Sequence, residues 1–290
     1  MENSKSLKPT LAILMAAILF STGGAALKSS SFEGWQKAGL RSGIAAVFLL
    51  VFFSSCRKNW DRWTYIVGLL YAITMVLFVH ANTYTTAANT IFLQSTAPIY
   101  LMLLGPWLLK EKNRRHDIVF MLFLGLGMLG FFLKDEVALK SAIDPAFGNI
   151  LACCAGISWA GTVGGLRFIA KKQQGNPHEQ RGDALSATVC GNLIAFAMCL
   201  PFCFPFPAAP PTDWLLVAFL GICQIGVAYC LLTWGIKKVF ALKASLLLLV
   251  EPVLNPIWAW IFHGEIPARL SFIGCGIILS ATLWHSWIDG

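Results

Sequence analysis

The apolar residues of this chain come in blocks of about twenty, separated by short polar joints. About twenty helical residues cross the ~30 Å hydrocarbon layer of a bilayer, whereas a soluble helix of that length keeps a charged face. Lipid offers backbone amides no water to bond with, so each spanning block must be helical. The chain is 57% hydrophobic and 12% charged with a mean hydropathy of +0.68, about half the charge of a soluble domain. Ten such blocks account for most of the 290 residues and leave no room for a sizeable soluble domain. The expected fold is an all-α integral membrane protein of ten transmembrane helices.

The blocks run at about Pro9–Leu27, Trp35–Ser54, Trp63–Thr83, Ala87–Leu109, Ile118–Leu133, Phe147–Ala170, Ala184–Phe204, Trp214–Gly235, Leu242–His263 and Leu270–Trp287. Pro9 suits a first helical turn, where its missing N–H is no loss. The first block is too long for a signal-peptide core and reads as a retained span. The net charge of +8 sits in the joints and forms no continuous basic stripe, which argues against nucleic acid and for lipid headgroups. Most of the 22 Lys and Arg fall on one side if the N-terminus is cytoplasmic, so both termini are expected in the cytoplasm. Eight of the nine cysteines lie inside apolar blocks and none forms a CxxC pair. They read as small hydrophobes, with no metal site and no cofactor expected.

The halves echo each other. Pro98 and Pro252, Glu111 and Glu265, and Ala87 and Ala241 share one offset of 154 positions. Phe20 and Trp159, Ala16 and Ala155, Leu27 and Leu166, and Lys28 and Arg167 share another, 139. The polar segment between Lys134 and Pro145 divides residues 1–140 from residues 141–290. Five spans per half is an odd number, so the two repeats must be inverted in the membrane. Inverted repeats are the architecture of many secondary transporters, with substrate held near the midplane where they meet.

The sharpest stretch is Leu246 to Glu265, LLLLVEPVLNPIWAWIFHGE. Glu251 is the only acid well inside an apolar block, and a charge at mid-membrane costs ~2.5–3.5 kcal/mol on insertion scales. Two functions compete with one structural role. Glu251 could bind a cationic or zwitterionic substrate or take up a coupling proton; alternatively it satisfies backbone donors freed near Pro252 or pairs with a basic residue. Asn255 and Trp258 follow on the same helical face. His80 and Tyr84 share a face of the third span, and Gln94, Gln224 and Tyr229 are further polar groups in apolar surroundings. Each alone is more often a helix–helix hydrogen bond than a ligand contact. As a group they favour a lined cavity. Glu111 and Glu265 close their spans and read as caps or partners of nearby Arg.

In its motifs the chain resembles the drug/metabolite transporter superfamily, specifically its EamA-type members. APIYLMLLGPWLLKE and EPVLNPIWAWIFHGE close the fourth and ninth spans as in that family, and ILFSTGGAALK and ISWAGTVGGLR resemble its repeat openings. Arg41 matches the family's second-span arginine, and Trp159 its sixth-span aromatic; Phe20 stands where Trp is usual, and an unusually basic KNRRHD follows Glu111. The resemblance implies carriage of amino acids, nucleotide-related metabolites, sugars or drugs, often outward. It leaves Arg41 as a structural partner or a gate.

The expected function is therefore a secondary transporter, in the exporting direction, of a small metabolite such as an amino acid or organic cation across a bacterial inner membrane. Alternating access would be facilitative or proton-coupled through Glu251. The expected partners are a small-molecule substrate and the lipid bilayer, with the protein a monomer or homodimer. The competing reading is an integral membrane enzyme acting on a lipid or isoprenoid. That chemistry needs paired carboxylates for a metal or a nucleophile with its base, and no DxxxD cluster, H-E-x-x-H, G-x-S-x-G or P-loop motif occurs.

Overall fold

A computed structural model describes residues 3–85, 87–132, 143–175, 183–204 and 209–263, with scattered positions between 273 and 288. Among the described residues every regular element is helical. In chain order these are α1 (Asn3–Ser29), α2 (Gly34–Phe52), α3 (Arg62–Tyr84), α4 (Ala87–Gln94), α5 (Ala97–Leu108), α6 (Arg115–Phe132), α7 (Pro145–Gly175), α8 (Ala184–Cys199), α9 (Pro211–Phe219), α10 (Ala228–Gly235), α11 (Ala241–Leu248) and α12 (Val250–His263). A π-helical stretch, Leu220–Val227, joins α9 to α10 without a break. Single 3-10 turns follow α2 and α8.

Seven helices among the described residues are long and apolar enough to cross a bilayer. They lie at Leu7–Ser29, Arg62–Tyr84, Asn89–Leu108, Pro145–Gln174, Ala184–Phe202, Pro211–Gly235 and Ala241–Phe262. The other expected spans are accounted for individually. The first half of α2 carries Gln36, Lys37 and Arg41, and α6 opens on Arg115, His116 and Asp117. Most of the expected tenth span, with Glu265, lies outside the described residues. The helix α1 starts at Asn3, earlier than its apolar block, so Pro9 sits inside it rather than at its first turn.

Local sequence sets where the helices begin. The Asp61 carboxylate accepts from the Thr64 N–H at 3.0 Å, and the Asp61 N–H donates back to the Thr64 hydroxyl at 3.3 Å. Asp183 and Ser186 form the same reciprocal cap on α8, and Glu33 and Gln36 on α2. Each cap satisfies donors that a helix start leaves without partners.

The helices pack across the sequence midpoint. α3 lies along α7 and α8, and the α9–α10 helix lies along α1 and α2. α4 and α5 lie on α7, while α11 and α12 lie on α1; α2 and α8 meet at the centre. Small residues permit these approaches. A Cβ on Gly191 would come within 2.7 Å of the Gly68 carbonyl oxygen and 2.5 Å of Tyr71 Cδ1. A Cβ on Gly221 would come within 2.8 Å of the Arg41 carbonyl oxygen. Without a water-driven hydrophobic effect between helices in lipid, close backbone approach of this kind supplies much of the packing energy. The eight described cysteines are all free thiols, four of them buried.

One end of the bundle is tied by charge. Arg167 is buried and donates from Nε to Glu111 Oε1 at 2.8 Å and from Nη1 to the Ile236 and Lys237 carbonyls, also at 2.8 Å. Glu111 Oε2 accepts from the Ala241 N–H at 2.9 Å, and Lys171 Nζ donates to the Leu109 carbonyl at 2.7 Å. Two side chains thus clamp the end of α5, the body of α7 and the joint between α10 and α11.

Candidate functional site

Two helices break at matching places. The apolar run that contains Pro98 is interrupted at Ser95–Thr96, between α4 and α5. The run that contains Pro252 is interrupted at Leu249, between α11 and α12. Pro98 and Pro252 have no N–H, so the Gln94 and Leu248 carbonyls lose the donor that a continuous helix would supply. The backbone tightens to three-residue turns at each break: the Thr96 N–H donates to Leu93 O at 3.3 Å and the Leu249 N–H to Leu246 O at 3.1 Å. The Thr96 and Ser245 hydroxyls donate to the Leu93 and Leu242 carbonyls at 2.6 and 2.8 Å. Irregular backbone at membrane depth survives only where protein covers it or it lines a wet cavity.

Both breaks face one hollow. It is lined by Gln94, Ser95 and Pro98 from the first break, Ser245, Leu248, Leu249 and Glu251 from the second, and Trp159 of α7. A second hollow shares Gln94, Trp159 and Glu251 and continues along Phe20, Arg41, Met75, Phe78, Gln224, Ile225 and Tyr229.

The walls combine rings and charges. Phe20, Trp159 and Tyr229 meet edge to face, with centroids 5.0 to 6.2 Å apart, and Tyr71 lies 4.8 Å beyond Tyr229. Phe20 and Trp159 are the pair that share the 139-residue offset, so the two repeat openings contribute facing rings. Glu251 is partly buried and has no hydrogen bond or ion pair among the described residues. Arg41 is 1% exposed; its Nη2 reaches only the Met75 thioether, at 3.6 Å, and its Nε has no partner. Gln224 Oε1 is buried without a hydrogen bond among the described residues, and the buried Tyr71 and Tyr229 hydroxyls face each other and Asn192. Charge can be carried by Arg41 and Glu251 in this space, and hydrogen bonds by the Tyr229 phenol and the Gln94 and Gln224 amides.

The expected site residues divide into two groups. Glu251, Gln94, Trp159, Gln224 and Tyr229 come together on the hollows. Asn255 sits a turn beyond Glu251, buried, with its amide pressed against Gly24 of α1. Trp258 is spent on a different contact: its indole N–H donates to Ser21 Oγ at 2.8 Å, tying α12 to α1. His80 and Tyr84 share a face of α3 but lie near its end, away from the hollows. His80 packs on Trp35 at 4.1 Å and Tyr84 on Phe147 at 5.1 Å. Arg41, Phe20 and Met75 line the second hollow although sequence reasoning did not place them there. The signal that could have found Arg41 was its position inside an apolar block, as for Glu251.

Membrane helices broken at prolines around a polar hollow define a polytopic membrane protein of the carrier type. The chain belongs to the EamA-like transporter family, whose model matches twice, over residues 7–133 and 146–287. It is similar to the uncharacterized transporter YoaV of Bacillus subtilis, at 25% identity over 84% of this chain and 85% of that protein. It is also similar to an uncharacterized transporter of Archaeoglobus fulgidus, at 23% identity over 94% of each. A solved crystal structure at 20% identity overlays on 97% of this chain and 96% of that one, with a TM-score of 0.74, which establishes a shared fold.

Proposed function

We propose that this membrane protein is a secondary transporter built from ten transmembrane helices in two inverted five-helix repeats, residues 1–140 and 141–290, with both termini cytoplasmic. It carries a small metabolite such as an amino acid or organic cation by alternating access, in the exporting direction, across the bacterial inner membrane. The observation that carries this reading is the pair of helix breaks, one before Pro98 and one before Pro252, that share a single hollow with Glu251. Two further features support it. The family model matches once in each half, and the contacts of α3 with α7 and α8 have counterparts in those of α9–α10 with α1 and α2. Repeats related in this way can exchange roles, so that whichever end is clamped, the other opens. Glu251, without a hydrogen bond or ion pair among the described residues, is the group that would carry a coupling proton.

The test is counterflow. The purified full chain is reconstituted in liposomes loaded with one unlabelled amino acid or organic cation, and uptake of its labelled form is followed. A carrier gives a transient overshoot that depends on internal substrate. No overshoot for any amino acid or organic cation would contradict the proposal.

A further inference from the structure

We infer that Arg41 anchors a carboxylate of the transported molecule, which makes the cargo an amino acid or related zwitterion rather than a simple organic cation. This rests on the transporter reading above and decides between its two substrate classes. Arg41 presents five N–H donors in a planar fork. It is 1% exposed, yet among the described residues a thioether is the one hydrogen-bond partner it has. A buried guanidinium without a counter-ion is costly, and an anionic ligand bound beside it would offset that cost. Glu251 does not fill that role: it lines the same hollow but makes no ion pair with Arg41.

The surroundings select the kind of anion. Tyr229 and Gln224 line the hollow beside Arg41, and Tyr71 meets Tyr229 edge to face behind them. The Tyr229 hydroxyl is buried at this wall against that of Tyr71, and a phenol that turns from its neighbour can donate to a bound anion. One cation and neutral donors balance a monoanion. A phosphate dianion would leave excess negative charge in a space that already holds Glu251. A molecule with a carboxylate and an ammonium leaves neither buried charge exposed, with the ammonium turned toward Glu251. A simple organic cation would pair with Glu251 and leave Arg41 as it is.

The test compares matched probes on the purified full-length protein by ligand-induced thermal shift. L-leucine is set beside 3-methylbutylamine, L-phenylalanine beside 2-phenylethylamine, and L-lysine beside pentane-1,5-diamine. At least one amino acid is expected to bind about 10- to 100-fold more tightly than the amine that lacks only its carboxylate, the range for a charge-assisted hydrogen bond. Arg41→Gln should bring that ratio close to one, and Arg41→Lys should keep part of it. Amines that bind as well as the acids, or no binding by any acid, would overturn the inference; the wild-type comparison alone decides this if neither variant folds. Counterflow separates the two levels. Flux that persists without preference for the carboxylate removes the role of Arg41 and leaves the transporter; absence of flux for every probe removes both.

Discussion

The clamp formed by Glu111 and Arg167 gives the strongest quantitative prediction. Arg167 and Glu111 are 7% and 9% exposed at their side chains and meet at 2.8 Å. Glu111→Gln keeps the shape and an acceptor for the Ala241 N–H but strips the counter-charge from Arg167. Removing one partner of a buried pair costs about 3–5 kcal/mol, because the remaining charge stays buried. The two carbonyls of Ile236 and Lys237 still accept from Arg167, so the low end, about 3 kcal/mol, is expected. Arg167→Gln leaves Glu111 with the Ala241 N–H and with Lys171, whose Nζ lies 3.9 Å away, and should cost a similar amount. The assay is a double-mutant cycle on apparent thermal stability in detergent. The double variant should be markedly less destabilised than the sum of the singles, with a coupling of about 1–3 kcal/mol. Additive effects, or a single variant as stable as the wild type, would refute the idea that these two side chains hold this end of the bundle as a unit.

Other predictions concern packing and coupling. Gly191→Ala should lower stability by about 1–3 kcal/mol, since its methyl meets the Gly68 backbone and Tyr71 and neither can retreat; wild-type stability would show that α3 and α8 are not pressed together there. Trp258→Phe should cost about 0.6–1.7 kcal/mol by removing the bond to Ser21 while leaving substrate affinity unchanged, which counterflow at varied substrate concentration checks. Glu251→Gln should abolish uptake driven by a pH gradient in inverted vesicles while expression is retained, and an unchanged pH dependence would end its role as proton carrier.

The parts of the fold that could be read from the sequence are those set by composition and spacing. Blocks long enough to span lipid become helices because the bilayer permits little else. Pro98 and Pro252 mark the two matched breaks because each removes an N–H from the helix, although Pro9 and Pro106 are carried inside α1 and α5 without a break. Glu251 stands out because an acid in an apolar block is expensive. What stayed hidden depends on depth and on partners far away in the chain. The four-residue spacing of His80 and Tyr84 correctly gives one face of α3, but spacing does not say that their level of the helix lies beyond the hollow. Trp258 looked like a cavity ring; its partner, Ser21, is on the first helix, and periodicity carries no information about such a contact. Arg41 could be a structural partner or a gate on sequence alone, and packing brings it to the second hollow. The π-helical stretch Leu220–Val227, which carries Gln224, contains no proline that would announce it.

The central claim is that the hollow beside Glu251 is exposed in turn to each side of the membrane. Its most direct measurement places a thiol at the first helix break, Ser95→Cys, and follows labelling by a membrane-impermeant reagent in right-side-out and inside-out vesicles, quantified at that residue by mass spectrometry. Labelling from both sides, suppressed from both by a bound amino acid, is the predicted result. Labelling confined to one side would show a pocket with a single mouth and contradict the account.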